Sequence, residues 1–234
     1  MREPLVVAVA QPECVANDVA ANALVHAAVV RSAGARVVVF PELSLTGYEL
    51  DAPAVMPDDA RLAPIVEACK ETGSVALVGA PVEGDRSRSH IGMLAVDATG
   101  ARVVYRKMWL GGAEPDRFNP GLAPAALNVD GWRLGLAICK DTGIPQHASE
   151  TAALGIDAYI AGVLELAADA AVPDQRARRV AADHRVWVAI ASFAGSTGGG
   201  YAEAAGGSGI WGADGIVVTR AGRETGAVVR ATLT

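Results

Sequence analysis

The sequence predicts an α/β fold of stacked sheets and helices, and three observations predict it. Strand-like apolar runs alternate with helix-like segments through the first two thirds of the chain, and the second half repeats the pattern. A short turn sequence, Asp97-Ala98-Thr99-Gly100, joins two runs directly, which pairs them antiparallel and makes the sheet mixed. Three runs end on a reactive side chain: VVVFP at 37–41 on Glu42, VVYR at 103–106 on Lys107, and LGLAI at 134–138 on Cys139. A carboxylate, an ammonium and a thiol at strand ends can converge at one sheet edge, as a nucleophile with a base and a cation beside it.

Taken in order, residues 5–10 form the first strand, and Asn17-Asp18 caps a helix reaching about residue 32, with Ala21, Leu24, Val25, Ala28 and Val29 on one stripe and Gly34 closing it. Residues 36–40 are the next strand, 58–72 the next helix, and 74–80 the strand after Gly73. Residues 91–96 and 102–107 flank the turn as a hairpin, because Gly100 accepts positive φ. Further on, 132–139, 157–163 and 186–193 are strands, with helices at 145–154 and 173–184 between them. The recurring βαβ pattern fits layers; the regular repeat of a barrel is missing. From Gly195 the chain becomes glycine-rich but lacks both the Gly-Lys-Ser/Thr ending of a phosphate loop and the Gly-x-Gly-x-x-Gly helix start, which leaves a mobile loop. Residues 210–213 and 216–219 form a last hairpin around Asp214-Gly215.

Composition narrows the function classes. At 234 residues and 51% hydrophobic, the chain can bury a sizeable core as one domain, residues 1–234. No stretch approaches the ~18 uninterrupted apolar residues of a membrane span, and Glu3 and Pro4 stand where a signal peptide is basic and then apolar. A soluble, cytoplasmic protein without a membrane partner is expected. The three cysteines, Cys14, Cys69 and Cys139, are odd in number and lack paired metal-ligand spacing, so neither a disulfide framework nor a zinc site is implied. A net charge of −6 with scattered basic residues argues against a nucleic-acid partner. The dense basic cluster from Arg176 to Arg185, at helical spacing and interrupted by Asp183, reads as a solvated helix face.

Singly, Glu42 reads as an exposed loop acid, Lys107 as a solvated strand end and Cys139 as a small core thiol. Together with their neighbours they resemble the nitrilase superfamily of carbon–nitrogen hydrolases. VAVAQP at 7–12 is similar to that family's opening strand, VFPELSLTGY at 39–48 to its glutamate motif, YRK at 105–107 to its lysine motif and GLAICKD at 135–141 to its cysteine motif, in the family's order. EPDRFNPG at 114–121 resembles the segment supplying a second glutamate, and GSGI at 207–210 with Asp214-Gly215 resembles late Gly-Ser and turn elements, so the likeness covers nearly the whole chain.

The resemblance implies a four-layer α-β-β-α sandwich with mixed sheets, a homodimer, and hydrolysis of a small-molecule amide through a Cys139 acyl-enzyme. The helices after Cys139 and around Arg176 are the natural dimer interface. Glu42 is then the general base, Lys107 and the Lys140 backbone N–H the oxyanion donors, and no metal or organic cofactor is required. Glu114 either orients Lys107 or polarises the attacking water, or it merely fixes Lys107 by an ion pair. Tyr48, Lys140 and Glu165 are candidate substrate contacts. Lys140 departs from the aromatic or acidic residue common after the nucleophile: facing the cleft it lowers the Cys139 pKa and pairs with a substrate carboxylate, and otherwise it points into the scaffold. Glu165 either offers a carboxylate to a basic substrate or is a solvent-facing loop acid. Asp141 argues for an amide or carbamoyl substrate, because nitrile-cleaving members carry an aromatic residue and then glutamate after the cysteine. Ile144-Pro145-Gln146 and the Ala194-Gly195 pair, where an asparagine usually precedes the glycine, also depart from the pattern, so specificity is open.

Three other readings are weaker. A nitrile hydrolase of the same fold meets the objection from Asp141. A Cys-His hydrolase pairing Cys139 with His147 or His184 suffers because neither histidine sits at a strand end. A non-catalytic ligand-binding member is disfavoured by the intact Glu42, Lys107 and Cys139. The loops 49–57, 111–120 and 195–206 line the pocket in this reading.

Overall fold

β1 (Leu5–Ala10) turns Val7 and Val9 to one side and Ala8 and Ala10 to the other, and all four are fully buried. A strand covered on both faces belongs to an inner layer. The same holds for β2 (Val37–Val39) and β3 (Val75–Val82), which pair parallel, and for β4 (His90–Asp97), antiparallel to β3. β5 (Gly100–Arg106) completes the predicted hairpin. In the computed structural model, which describes residues 2–84 and 88–234 and so leaves Met1 outside, these strands form a six-stranded mixed sheet. Its far edge is β14 (Val228–Leu233), antiparallel to β1.

The second sheet also has six strands. β6 (Ala125–Val129) and β7 (Trp132–Ile138) form a hairpin, and β7, β8 (Ala158–Val163) and β9 (Trp187–Ser192) run parallel. Between β9 and the last hairpin lie the short ladder strands β10 (Ala194–Gly195) and β11 (Ala204–Ala205). β12 (Gly209–Trp211) and β13 (Val217–Arg220) close the sheet. Period-two alternation sorts the strands' side chains between cores: Val7, Val9, Val37, Val39, Leu134 and Ile160 pack between the two sheets. Ala8, Val38 and Ala76 face α1 (Val19–Ala33) and α2 (Ala63–Thr72), while Tyr159, Ala161 and Ile190 face α3 (Pro145–Ala152) and α4 (Val172–His184). The result is the four-layer α-β-β-α sandwich with mixed sheets. No helix of the described residues is long and apolar enough to cross a membrane.

Three expectations are corrected. The buried stripe of α1 is Val19, Asn22, Ala23, His26, Ala27, Val30 and Ala33, on nearly the opposite face from the expected one and sharing no residue with it, and Leu24 is 61% exposed. Polar side chains caused the shift. Asn22 donates to Leu45 O at 3.0 Å, and His26 lies against the Ser44 hydroxyl at 2.8 Å while stacking on Phe40, so the helix turns them inward to hold the loop after β2. The glycine-rich stretch has fixed partners: Gly198 N–H and the Thr197 hydroxyl both donate to Gly47 O, at 2.7 and 2.9 Å. The Arg176–Arg185 cluster is not wholly a solvated face, since Arg179 donates to Thr142 O at 2.7 Å and Arg176 pairs with Glu165. β6 and β14 were not anticipated; short, half-polar edge strands give a weak periodic signal.

Candidate active site

Glu42 is fixed by its backbone before its side chain does anything. It follows β2 through Phe40-Pro41 and lies where β8 of the second sheet comes close to the chain after β2. A Cβ on Gly162 of β8 would stand 2.6 Å from Phe40 O and 2.9 Å from Glu42 N, and one on Gly79 of β3 would stand 2.5 Å from Pro41 O. Only glycine fits at both positions. Leu43 and Tyr48 (φ 52° and 64°) bend the loop back, and Cys139 sits at φ 43° where β7 breaks into a 3-10 turn. Asn17, Asp130 and Arg185 carry similar φ values elsewhere, but at Cys139 the strain falls on the reactive group itself.

Lys107 enters from the end of β5, anchored by its N–H to Ile91 O at 2.8 Å. Its Nζ is 2.7 Å from Glu42 Oε1 and 2.7 Å from Glu114 Oε1, and all three side chains are almost completely buried. The two carboxylates differ. Both oxygens of Glu114 are engaged: its Oε1 also accepts from the Tyr48 hydroxyl at 3.3 Å, and its Oε2 accepts from Gly111 N–H at 2.8 Å. Glu42 Oε2 is buried without a hydrogen-bond partner. Such an orphan is costly unless a group at the site uses it. The neighbouring donor is the Cys139 thiol, whose hydrogen bonding counts among the influences that lower Glu42's proton affinity. At rest that thiol points to Leu164 O at 3.3 Å, and rotation about its Cβ–S bond redirects the proton.

Burial dominates the electrostatics. It pushes the Glu42 carboxyl up, to about 7, against the pull of Lys107 and with the push of Glu114. Burial and the Glu42 charge hold the Cys139 thiol well above its ordinary range, with Lys107 opposing. Burial alone would lower Lys107, but Glu42, Cys139 and Glu114 keep its ammonium firmly charged. Two carboxylates therefore share one cation, and the repulsion between them adds to burial in raising Glu42's proton affinity.

A cavity of about 310 Å³ opens onto these groups and is lined by Cys139, Lys107, Glu114, Tyr48, Lys140 and Glu165 among others. Six of the seven residues expected from sequence thus line one cavity, with Glu42 buried behind Lys107. Lys140 reaches the cavity, yet its Nζ donates to Leu110 O at 2.6 Å and it is not a leading influence on Cys139. Glu165 is not a solvent-facing acid: its Oε1 is 2.6 Å from Arg176 Nη1, with a side-chain exposure of 17%. Leu50, Gly111, Gly199 and Tyr201 come from the three loops expected to line the pocket. Arg176 was missed; its one signal was a helical offset of three from Arg179 on the face turned toward the sheet.

Neither alternative base lines the cavity: His184 is the last residue of α4. His147 is buried among tyrosines, with Nε2 2.9 Å from the Tyr105 hydroxyl and Nδ1 2.8 Å from the Tyr159 hydroxyl. The Tyr105 hydroxyl donates to Asp141 Oδ2 at 2.8 Å, which leaves one consistent direction: Tyr159 to His147, His147 to Tyr105, Tyr105 to Asp141. Burial lowers His147 to about 4, so it stays neutral. Asp141 also accepts from Trp109 N–H and Ile138 N–H, at 2.9 and 3.0 Å, and so pins the turn that carries Cys139. The described residues hold no group of three or more His, Cys, Asp or Glu arranged for a metal ion.

A family model described as carbon-nitrogen hydrolase matches residues 6–234. A protein of Pseudomonas protegens named "Hydrolase in pqqF 5'region" is 29% identical over 190 residues, 76% of this chain; the match spans 66% of that relative's length. Among solved structures, a CN-hydrolase superfamily protein of Xanthomonas campestris has a TM-score of 0.87 at 18% identity, over 99% of this chain and 91% of that one. An amidase of Nesterenkonia sp. AN1 has a TM-score of 0.86 at 23% identity, over 98% and 90%. Nit3 of Saccharomyces cerevisiae, in branch 10 of the nitrilase superfamily, has a TM-score of 0.86 at 20% identity, over 99% and 90%.

Proposed function

The chain belongs to the carbon–nitrogen hydrolase family, and from that premise we propose that it hydrolyses the C–N bond of a small linear amide or N-carbamoyl compound through a thioester on Cys139. The observation that carries the reading is the buried Glu42 carboxylate, its Oε1 held by Lys107 and its Oε2 without a partner, in a side chain whose proton affinity the Cys139 thiol influences. A carboxylate with one oxygen fixed and one free is an oriented base.

As Cys139 Sγ attacks the carbonyl carbon, its proton passes to Glu42 Oε2 and the carbonyl π pair moves onto oxygen. Because burial disfavours a free thiolate, transfer accompanies attack. The Lys107 ammonium and the Lys140 backbone N–H stabilise the oxyanion, each donor contributing roughly 3–4 kcal/mol in a water-poor site. Collapse breaks the C–N bond, and Glu42 returns the proton to nitrogen, releasing ammonia or an amine. Water then attacks the thioester, giving its proton to Glu42; the C–S bond breaks and the thiol recovers that proton. Glu114, with both carboxylate oxygens engaged, is a positioning residue for Lys107.

The Nesterenkonia amidase has been seen with acrylamide and with butyramide, and a variant of it bears the acetamide moiety of fluoroacetamide on its active-site cysteine. Those neighbours favour small amides over nitriles for this cavity. The same reading carries a homodimer packed through α3 and α4, measurable by sedimentation. The direct test is ammonia release from amides, ureido acids, carbamoyl amines and nitriles by the parent protein and by Cys139→Ala. We expect release from an amide or ureido compound that falls at least ~10⁴-fold in the variant. No release across the panel, with Cys139 inert to iodoacetamide, would overturn the hydrolase reading.

A further inference from the structure

The catalytic groups leave the cavity's other end unexplained. There Lys140, Glu165 and Arg176 stand around the opening, and their charges do not cancel. Glu165 is matched by Arg176 at 2.6 Å, whereas no carboxylate among the described residues lies within ion-pair distance of Lys140. The Lys140 ammonium is held only by a neutral carbonyl, Leu110 O. Arg176 spends a single N–H, on Nη1, in its hydrogen bond to Glu165, although a guanidinium carries five. Among these three cavity-lining residues one positive charge is left over, with Asp169 the next acidic influence beyond Glu165 and the Nε–Nη2 edge of Arg176 lying over Gly143.

The fold holds these groups in position. Arg176 leaves α4 on the turn preceding Arg179, whose bond to Thr142 O docks α4 on the turn carrying Cys139. Arg176 and the nucleophile thus share one support. Lys140 is next to the nucleophile in the chain, and its tether to Leu110 O ties it to the loop that also supplies Gly111 N–H to Glu114. Apart from the catalytic groups Lys107, Glu114 and Cys139, the side chains of the remaining wall are apolar or aromatic, Leu50, Leu164, Tyr48 and Tyr201 among them, so Lys140, Glu165 and Arg176 are the charges left to read a substrate. At about 310 Å³ the space suits a short ligand near the lower end of small-molecule sites.

Resting on the hydrolase reading, we infer that the substrate is a short linear amide or ureide bearing a carboxylate at the end remote from the scissile carbonyl, received by Lys140 and Arg176. Glu165 serves as the counter-charge that orients Arg176, so it is not available to a basic substrate. A planar guanidinium suits a carboxylate, and an ammonium without a counter-ion gains a partner on binding.

The matched pair succinamate and butyramide, which differ by carboxylate against methyl, tests this. The parent should favour succinamate in kcat/KM by at least about tenfold, with the preference weakening as salt is raised. Lys140→Met and Arg176→Gln should each cut the succinamate-to-butyramide ratio by about tenfold through KM for the acid, and Lys140→Arg should restore most of it. A parent ratio near or below one, or a ratio unmoved in both variants, would overturn the inference while leaving the hydrolase reading intact. Calorimetric binding of the same pair to Cys139→Ala reads the site without turnover. Selective succinamate binding lost in the Cys139→Ala/Lys140→Met double variant supports the inference even if no amide is hydrolysed; equal affinity for the two overturns it.

Discussion

The two ends of the cavity hold similar side chains under opposite physical conditions. At the inner end, Lys107, Glu42 and Glu114 have side-chain exposures of 1%, 0% and 6%; at the mouth, Arg176 and Glu165 have 26% and 17%. The inner ion pairs cannot fall back on water if one member is lost, while the outer pair can. Desolvation makes the inner cluster a matter of folding as well as chemistry, and solvent makes the outer charges cheap to keep and easy to vary. Family-wide reactivity and chain-specific selectivity should therefore separate by depth.

The sharpest way to break that contrast is to remove one cation from each end. Lys107→Met leaves two carboxylates facing each other in the interior and should cost about 3–5 kcal/mol of stability, alongside a fall in kcat of roughly 10²–10³ from the lost oxyanion donor. Arg176→Gln should cost less than ~1 kcal/mol, because the partly exposed Glu165 is rescued by water. Urea midpoints compared at equal m-value measure both. Equal losses would mean that depth does not govern the pairs.

Glu42 sharpens the comparison through pH. Its folded carboxyl is pushed up by burial to about 7, so the base is increasingly occupied by a proton below that pH. The kcat/KM for a neutral amide should therefore fall as pH drops through about 7 rather than near the ordinary carboxylate range. Glu42→Gln should lower kcat roughly 10²–10⁴-fold and abolish that acid limb. A parent profile flat from pH 8 to 5 would remove Glu42 as the base.

Depth also explains what the sequence disclosed. Glu42 and Cys139 were legible because each follows a strand covered on both faces, which writes itself as unbroken valine, leucine and alanine and leaves the next residue at the sheet edge. Lys107 follows the half-exposed β5, and Glu114, which ends no apolar run, was legible only through the family resemblance. The alternation of runs and helices pointed to a layered α/β domain, whereas the four layers came from the family resemblance, whose opening strand and late Gly-Ser segment meet where Ser208 N–H donates to Gln11 Oε1 at 2.7 Å. The α1 stripe was misread because its buried face includes Asn22 and His26, whose burial depends on partners in a distant loop. Arg176 was missed for the same reason. In sequence it is one arginine of several, and only the docking of α4 decides which of them turns toward the cavity.

Between the chemistry and the mouth, the scaffold offers a test of smaller size. Gly162→Ala would set a methyl 2.6 Å from Phe40 O, and because the obstacle is backbone, neither side yields easily. The expected loss is about 3 kcal/mol, at the upper end for overpacking, with a fall in kcat as Glu42 shifts. If the variant keeps parental stability but loses activity, close approach of the sheets serves the site alone.

The smallest effect is expected from Tyr105→Phe, on the hydrogen-bonded chain behind the nucleophile. Asp141 Oδ2 would lose the Tyr105 hydroxyl but keep Ile138 N–H, and Oδ1 would keep Trp109 N–H, so the turn carrying Cys139 stays pinned. The group left without a partner is His147 Nε2–H, buried and neutral, for which a cost of about 1–2 kcal/mol follows. Activity should fall only severalfold, with the ratio between acidic and neutral amides unchanged, because Lys140 and Arg176 are untouched. Thermal unfolding at pH 7.5 and the succinamate-to-butyramide ratio read the two effects separately. A larger fall in activity than in stability would assign the Tyr105–Asp141 bond to holding Cys139 at its strained φ.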